Sequence, residues 1–85
     1  MNKTDIFALV ARQTCDVIPS LKDHVFQRSD RLKDLGANSI DRSEIIEMTM
    51  ESLSLNIPRV AVFGARNIGE LVDVLHEKLL IDRAS

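Results

Sequence analysis

Three stretches of this chain repeat apolar residues at helical spacing, and nowhere does a convincing alternating strand pattern appear. The first stretch runs from about Thr4 to Val17, with Ile6, Leu9, Val10, Gln13 and Val17 on one stripe. Thr4 or Asp5 can cap it, and Pro19 closes it soon after. The second runs from Ser39 to about Leu53. Ile46, Met50, Leu53 and Ile57 make one face, with Ile45 and Thr49 beside it. Asn38 and Ser39 are both good N-cap residues, and Asp41 lies in the first turn, where it suits the positive end of the helix dipole. The third begins at Asn67, which with Glu70 has the pattern of a capping box. Its stripe is Ile68, Leu71, Val72, Leu75 and Leu79.

The connections are less regular. Pro58 permits a short helical turn over Val60–Phe63, ended by Gly64. Residues 19–38 carry scattered apolar side chains and a turn at Gly36. A connection this long is either functional or pinned, and Val25, Phe26, Leu32 and Leu35 are the residues expected to pin it. The expected architecture is all-α: a small bundle of three main helices plus one short helix, in a single domain over residues 1–85.

Composition narrows the function. The single Cys15 excludes an intramolecular disulfide framework, and with only His24 and His76 it makes no zinc cluster. We read Cys15 as a packed helical residue and the two histidines as surface or partly buried. No apolar run approaches the roughly 18 residues needed to cross a bilayer, so a cytoplasmic location is expected, with no membrane association. Net charge is −2, but residues 34–51 set Arg42 against Asp34, Asp41, Glu44, Glu47 and Glu51, a local net of −4. Such a surface repels nucleic acid and attracts basic protein patches. No nucleophile–base constellation is visible, so no enzyme activity is expected.

The segment Asp34-Leu35-Gly36-Ala37-Asn38-Ser39-Ile40-Asp41 places a serine at a helix start, directly after a glycine turn. Its hydroxyl should be exposed there, with free first-turn N–H groups to face an attached phosphate. Taken alone, such a serine reads as an N-cap. The stretch Leu35–Asp41, however, resembles the Leu-Gly-x-Asp-Ser-Leu-Asp signature of acyl carrier proteins. The resemblance implies that Ser39 carries 4′-phosphopantetheine, installed by a phosphopantetheinyl transferase, whose thiol bears the acyl group. Asn38 departs from the usual aspartate and removes one negative charge beside the serine, and Ile40 replaces leucine.

A finer resemblance is to free-standing carriers of polyketide β-branching cassettes. It rests on Gly36 to Arg42 followed by Glu44-Ile45-Ile46, and on Asn67-Ile68-Gly69-Glu70-Leu71. Such a donor implies an acetyl cargo, occasionally propionyl, and an HMG-CoA-synthase-like partner, with acyl-loading or decarboxylating enzymes upstream. Acceptor carriers tend to have Trp six residues after the serine; position 45 here is Ile, which fits a donor. The implied docking surface comprises Asn38, Ile40, Asp41, Arg42, Glu44, Ile45, Glu47, Met48 and Glu51, although Ile40, Ile45 and Met48 are equally compatible with the core. Weak, sequential docking suits charged residues better than a large apolar interface. Arg59 and Arg66 are read as solvated charges within reach of a partner, and the chain as a monomer. Two alternatives stand beside this reading: a carrier of fatty acid or other polyketide synthesis, and an unmodified helical interaction module in which Ser39 only caps.

Overall fold

The structure is a computed structural model that describes residues 1–84, apart from the side chains of Arg59, Arg83 and Ala84, so the expectation for Arg59 lies outside it. Its helices are α1 (Lys3–Val17), α2 (Ser39–Ser52) and α3 (Ile68–Ala84), with 3₁₀ turns at Pro19–Leu21 and Arg59–Ala61 and no strand among the described residues. The expected short fourth helix is therefore one 3₁₀ turn, in which the Ala61 N–H donates to the Pro58 carbonyl at 3.0 Å. Three residues are too few to establish the α-helical hydrogen-bond ladder. The start of α1 also differs from expectation. Asn2 is the cap, its Oδ1 accepting the Asp5 N–H at 2.8 Å, so Thr4 and Asp5 lie inside the helix.

Helix α1 packs against both α2 and α3. Ile6, Leu9 and Val10 of α1 meet Ile45, Ile46 and Met50 of α2 and Ile68, Leu71, Val72, Leu75 and Leu79 of α3 in one core. Two threonines are buried within it, Thr14 and Thr49. Each hydroxyl donates to the carbonyl four residues back, Val10 and Ile45 respectively, at 2.7 Å. That bond satisfies the group where water does not reach. Gln13 Nε2 donates to Ser52 Oγ at 3.1 Å and ties α1 to the last turn of α2.

The connection from α1 to α2 is fastened mainly through its backbone. The N–H groups of Ile68 and Gly69, among those a helix start leaves without helical partners, donate to the carbonyls of Asp30 (2.8 Å) and Arg28 (2.9 Å). The Arg28 guanidinium continues the attachment, donating to the Gly69 carbonyl at 3.3 Å and to Asp73 Oδ2 at 2.7 Å. Lys3 Nζ reaches the other Asp73 oxygen at 3.1 Å, so one carboxylate joins α1, the loop and α3. Arg28, and after it Lys3, hold that carboxyl below the usual range.

Leu32 is buried, and Phe26 and Leu35 pack against the core as expected. Val25 does not: it is 78% exposed and pins nothing. In its place His24 Nε2 lies 2.9 Å from Asp30 Oδ2, an oxygen that also accepts the Gln27 N–H at 2.8 Å. The His24 ring stands edge-on to Phe26 with centroids 4.8 Å apart. His24 thus has a carboxylate partner that its sequence neighbourhood does not advertise, and the pair braces the loop. The Gln27 N–H and then His24 lower the Asp30 pKa.

Candidate functional site

The approach to Ser39 is built by a helical turn that must stop sharply. The Gly36 N–H donates to the Lys33 carbonyl (3.2 Å) and the Ala37 N–H to the Leu32 carbonyl (3.0 Å), the two bonds of a Schellman motif. Gly36 occupies its left-handed position with φ +100°, which glycine adopts without the strain of a Cβ. Ala37 and Leu32 are both buried, supplying the apolar contact that accompanies such a stop. Leu35, Gly36 and Ala37 therefore anchor and turn the chain just before Asn38.

Asn38 then caps α2. Its Oδ1 accepts the Asp41 N–H at 2.8 Å, while Asp41 Oδ2 accepts the Asn38 N–H at 3.3 Å, a complete capping box. Ser39 is the first residue of the helix and not its cap. This decides between the two cap candidates and frees the serine hydroxyl from a structural duty. Ser39 is exposed. Arg42, one turn on, donates from Nη2 to Ser39 Oγ at 3.3 Å.

Ser39 lines a cleft of about 510 Å³ between α2, the segment around Val62–Asn67 and the start of α3. Leu32, Ile46, Val62, Ile68 and Leu71 supply apolar wall, while Arg31, Lys33, Arg42 and Arg66 bring positive charge to the same cleft. Arg66 is drawn toward Glu70, 3.4 Å away. Asn67 caps α3 by accepting the Glu70 N–H at 2.8 Å, and Glu70 answers to the Asn67 side-chain amide at 3.4 Å, so the expected box closes through the side chain.

The docking residues read from the sequence separate into groups. Ile40 is 76% exposed, one position past the serine. Asn38, Glu44, Glu47 and Glu51 are exposed, and Asp41, Arg42 and Met48 are half-buried. Ile45 is a correction: it is fully buried in the core and offers no surface to a partner. Helical spacing places it within one position of the inward face, and the packing of α2 against α1 around the shared core settles its side. The apolar residue that sequence reasoning missed here is Phe63, 52% exposed and lining the Ser39 cleft. It sits in an irregular segment whose periodicity gives no orientation.

Residues 6–75 match the family described as "Phosphopantetheine attachment site". The chain belongs to the acyl carrier protein family. The carrier is 48% identical over 79 residues to the polyketide biosynthesis acyl-carrier-protein AcpK of Bacillus subtilis (strain 168), covering 93% of this chain and 96% of that one. It is 28% identical over 79 residues to an acyl carrier protein of Guillardia theta, covering 93% and 98% of the two chains. Among solved structures, the carrier resembles a chain in the crystal structure of the curacin biosynthetic pathway HMG synthase in complex with acetyl donor-ACP. That match has a TM-score of 0.86 and 45% identity, over 88% of this chain and 96% of that one. The family's cofactor is phosphopantetheine. The residues around Ser39 suit it: a hydroxyl with no capping role, a cation beside it and an apolar cleft alongside. When bound, the arm supplies a thiol that carries an acyl group as a thioester.

Among the described residues no group of His, Cys, Asp and Glu is arranged to hold a metal. None of their helices is long and apolar enough to cross a membrane.

Proposed function

We propose that Ser39 is the attachment point of 4′-phosphopantetheine, and that the carrier delivers an acetyl thioester to an HMG-CoA-synthase-like enzyme during β-branching in polyketide biosynthesis. The observation that carries the attachment is the division of labour at the start of α2: Asn38 and Asp41 close the cap, leaving the Ser39 hydroxyl exposed. The acetyl-donor role is supported by 45% identity to a chain from the structure of an HMG synthase in complex with acetyl donor-ACP, and by 48% identity to a polyketide carrier. The absence of tryptophan, with Ile45 in the core, agrees with a donor.

In this role the carrier has no catalysis of its own and one structural task, which is to present the arm on a rigid helix start. Asn38, Ile40, Asp41, Arg42, Glu44, Glu47, Met48 and Glu51 form the surface read by the transferase, by acyl-loading enzymes and by the synthase. Charged docking of this kind speeds encounter and permits release, as a shuttle between enzymes requires.

The test is incubation of the purified protein with coenzyme A, Mg²⁺ and a broad-specificity phosphopantetheinyl transferase, followed by intact-mass and peptide analysis. The expected result is one phosphopantetheinyl addition on Ser39 and none on Ser39→Ala. Loading with acetyl and mixing with the synthase should then consume the acetyl thioester. No addition with two unrelated transferases would remove the attachment reading, and an acetylated carrier that the synthase ignores would remove the donor reading alone.

A further inference from the structure

The Arg42 guanidinium lies over the Ser39 hydroxyl, Nη2 to Oγ at 3.3 Å, and makes no ion pair among the described residues. Of the carboxylates near it in sequence, none among the described residues is within ion-pair distance of Arg42. Asp41 bonds back to the Asn38 N–H, and Glu44 is exposed. Arg31 and Lys33 bring further positive charge to the same cleft. In a protein of net charge −2, whose residues 34–51 are net −4, a cationic lining around one serine is a local reversal of sign.

We infer that Arg42 is a positioning residue for the arm: its guanidinium holds the phosphodiester formed on Ser39 and so sets the direction in which the arm leaves the helix. The inference rests on the attachment at Ser39 proposed above. Transfer from coenzyme A joins Ser39 Oγ to the pantetheine-side phosphorus, breaks the pyrophosphate bond, releases adenosine 3′,5′-bisphosphate and the serine proton, and leaves on Ser39 a phosphodiester that carries one negative charge. The contact already present between a neutral oxygen and Arg42 then lies beside an anion, and a charge-assisted bond of this type is roughly twice as strong as a neutral one. Arginine suits the task because its planar fork can engage two phosphate oxygens together, where lysine offers only a point charge. Arg42 therefore acts on the carrier's own arm, whatever contact it also makes with a partner.

The test is the ³¹P resonance of the holo-protein, made with the transferase and coenzyme A and compared with the same sample unfolded in urea. In the wild type the diester resonance should be displaced from its unfolded position. Salt at about 1 M, where the Debye length is about 3 Å, should reduce that displacement. Arg42→Gln should abolish most of it, and Arg42→Lys should retain an intermediate part. The wild type supplies a second readout: the Arg42 Nε–H resonance should shift between apo and holo forms. A modified wild type whose Arg42 signal does not move, or an Arg42→Gln holo-protein with the wild-type ³¹P displacement, overturns the role of Arg42 and leaves the attachment intact. A wild type that gains no phosphopantetheine overturns the attachment, and this inference with it.

Discussion

Gly69 and Arg28 are in backbone contact: the Gly69 N–H donates to the Arg28 carbonyl at 2.9 Å, and a Cβ built on Gly69 would stand 2.9 Å from Arg28 Cβ and 3.0 Å from its carbonyl oxygen. The start of α3 admits the loop this closely because position 69 has no side chain. Gly69→Ala in an open helix would gain about 1 kcal/mol of propensity. Here the added methyl meets atoms that cannot swing aside, and such overpacking costs about 1–3 kcal/mol. The expected sign is a net loss of stability in urea unfolding. Faster amide exchange at Ile68 and Gly69 should accompany it, because their partners lie on the displaced loop.

The cap and the modification site can be separated by mutation. Asn38→Ala should cost about 1 kcal/mol, since it leaves the Asp41 N–H without its acceptor. Ser39→Ala should cost only a few tenths, within the range of ordinary surface changes, while abolishing the mass gain with coenzyme A and transferase. Equal losses for the two variants in urea unfolding would contradict the cap assignment.

Ser54 ends α2 in the conformation that Gly36 adopts at the turn before it. It has φ 52°, its N–H donates to the Glu51 carbonyl, and the Leu55 N–H donates to the Met50 carbonyl. A non-glycine residue in this left-handed position costs roughly 1–2 kcal/mol. Ser54→Gly should relieve much of that strain and raise the urea midpoint with an unchanged slope, while the added freedom of the unfolded chain trims the gain. A fall in the midpoint would contradict the expected balance.

Acid should loosen the loop first. Asp30 and Asp73 both have folded pKa values lowered by their hydrogen-bond partners. Their contribution is therefore complete above the unfolded aspartate value of about 4, and disappears as pH falls through the lower folded values. Urea midpoints should decline in that acid range, and Asp30→Asn or Asp73→Asn should each flatten the decline. Salt should weaken the Asp73 part, because both of its cationic partners are half exposed.

Ile45 and Glu44 are neighbours in sequence with opposite expected phenotypes. Ile45→Ala removes a fully buried side chain and should cost about 2–5 kcal/mol. Glu44→Ala lies on the exposed face and should leave stability within about 0.5 kcal/mol while slowing association with basic partners at low salt. Stopped-flow association rates and urea melts separate the two effects.

The three helices, their apolar stripes and the serine of interest were legible in the amino-acid sequence, because helical periodicity and the Leu35–Asp41 signature are local patterns. Ile68, Leu71, Val72, Leu75 and Leu79 are buried as their spacing predicts. Tertiary structure decided the rest. Whether Asn38 or Ser39 caps α2 turns on a one-residue offset, resolved when Leu32 and Ala37 enter the core and hold the approach in place. Ile45 and Val25 are both β-branched and apolar, yet one is wholly buried and the other 78% exposed, because only the first faces another helix. The docking of the loop onto α3 uses the carbonyls of Arg28 and Asp30, and a carbonyl is the same in every residue. No side-chain pattern marks such a bond in advance; Gly69 is the single trace it leaves, and that trace has meaning only once the two backbones are in contact.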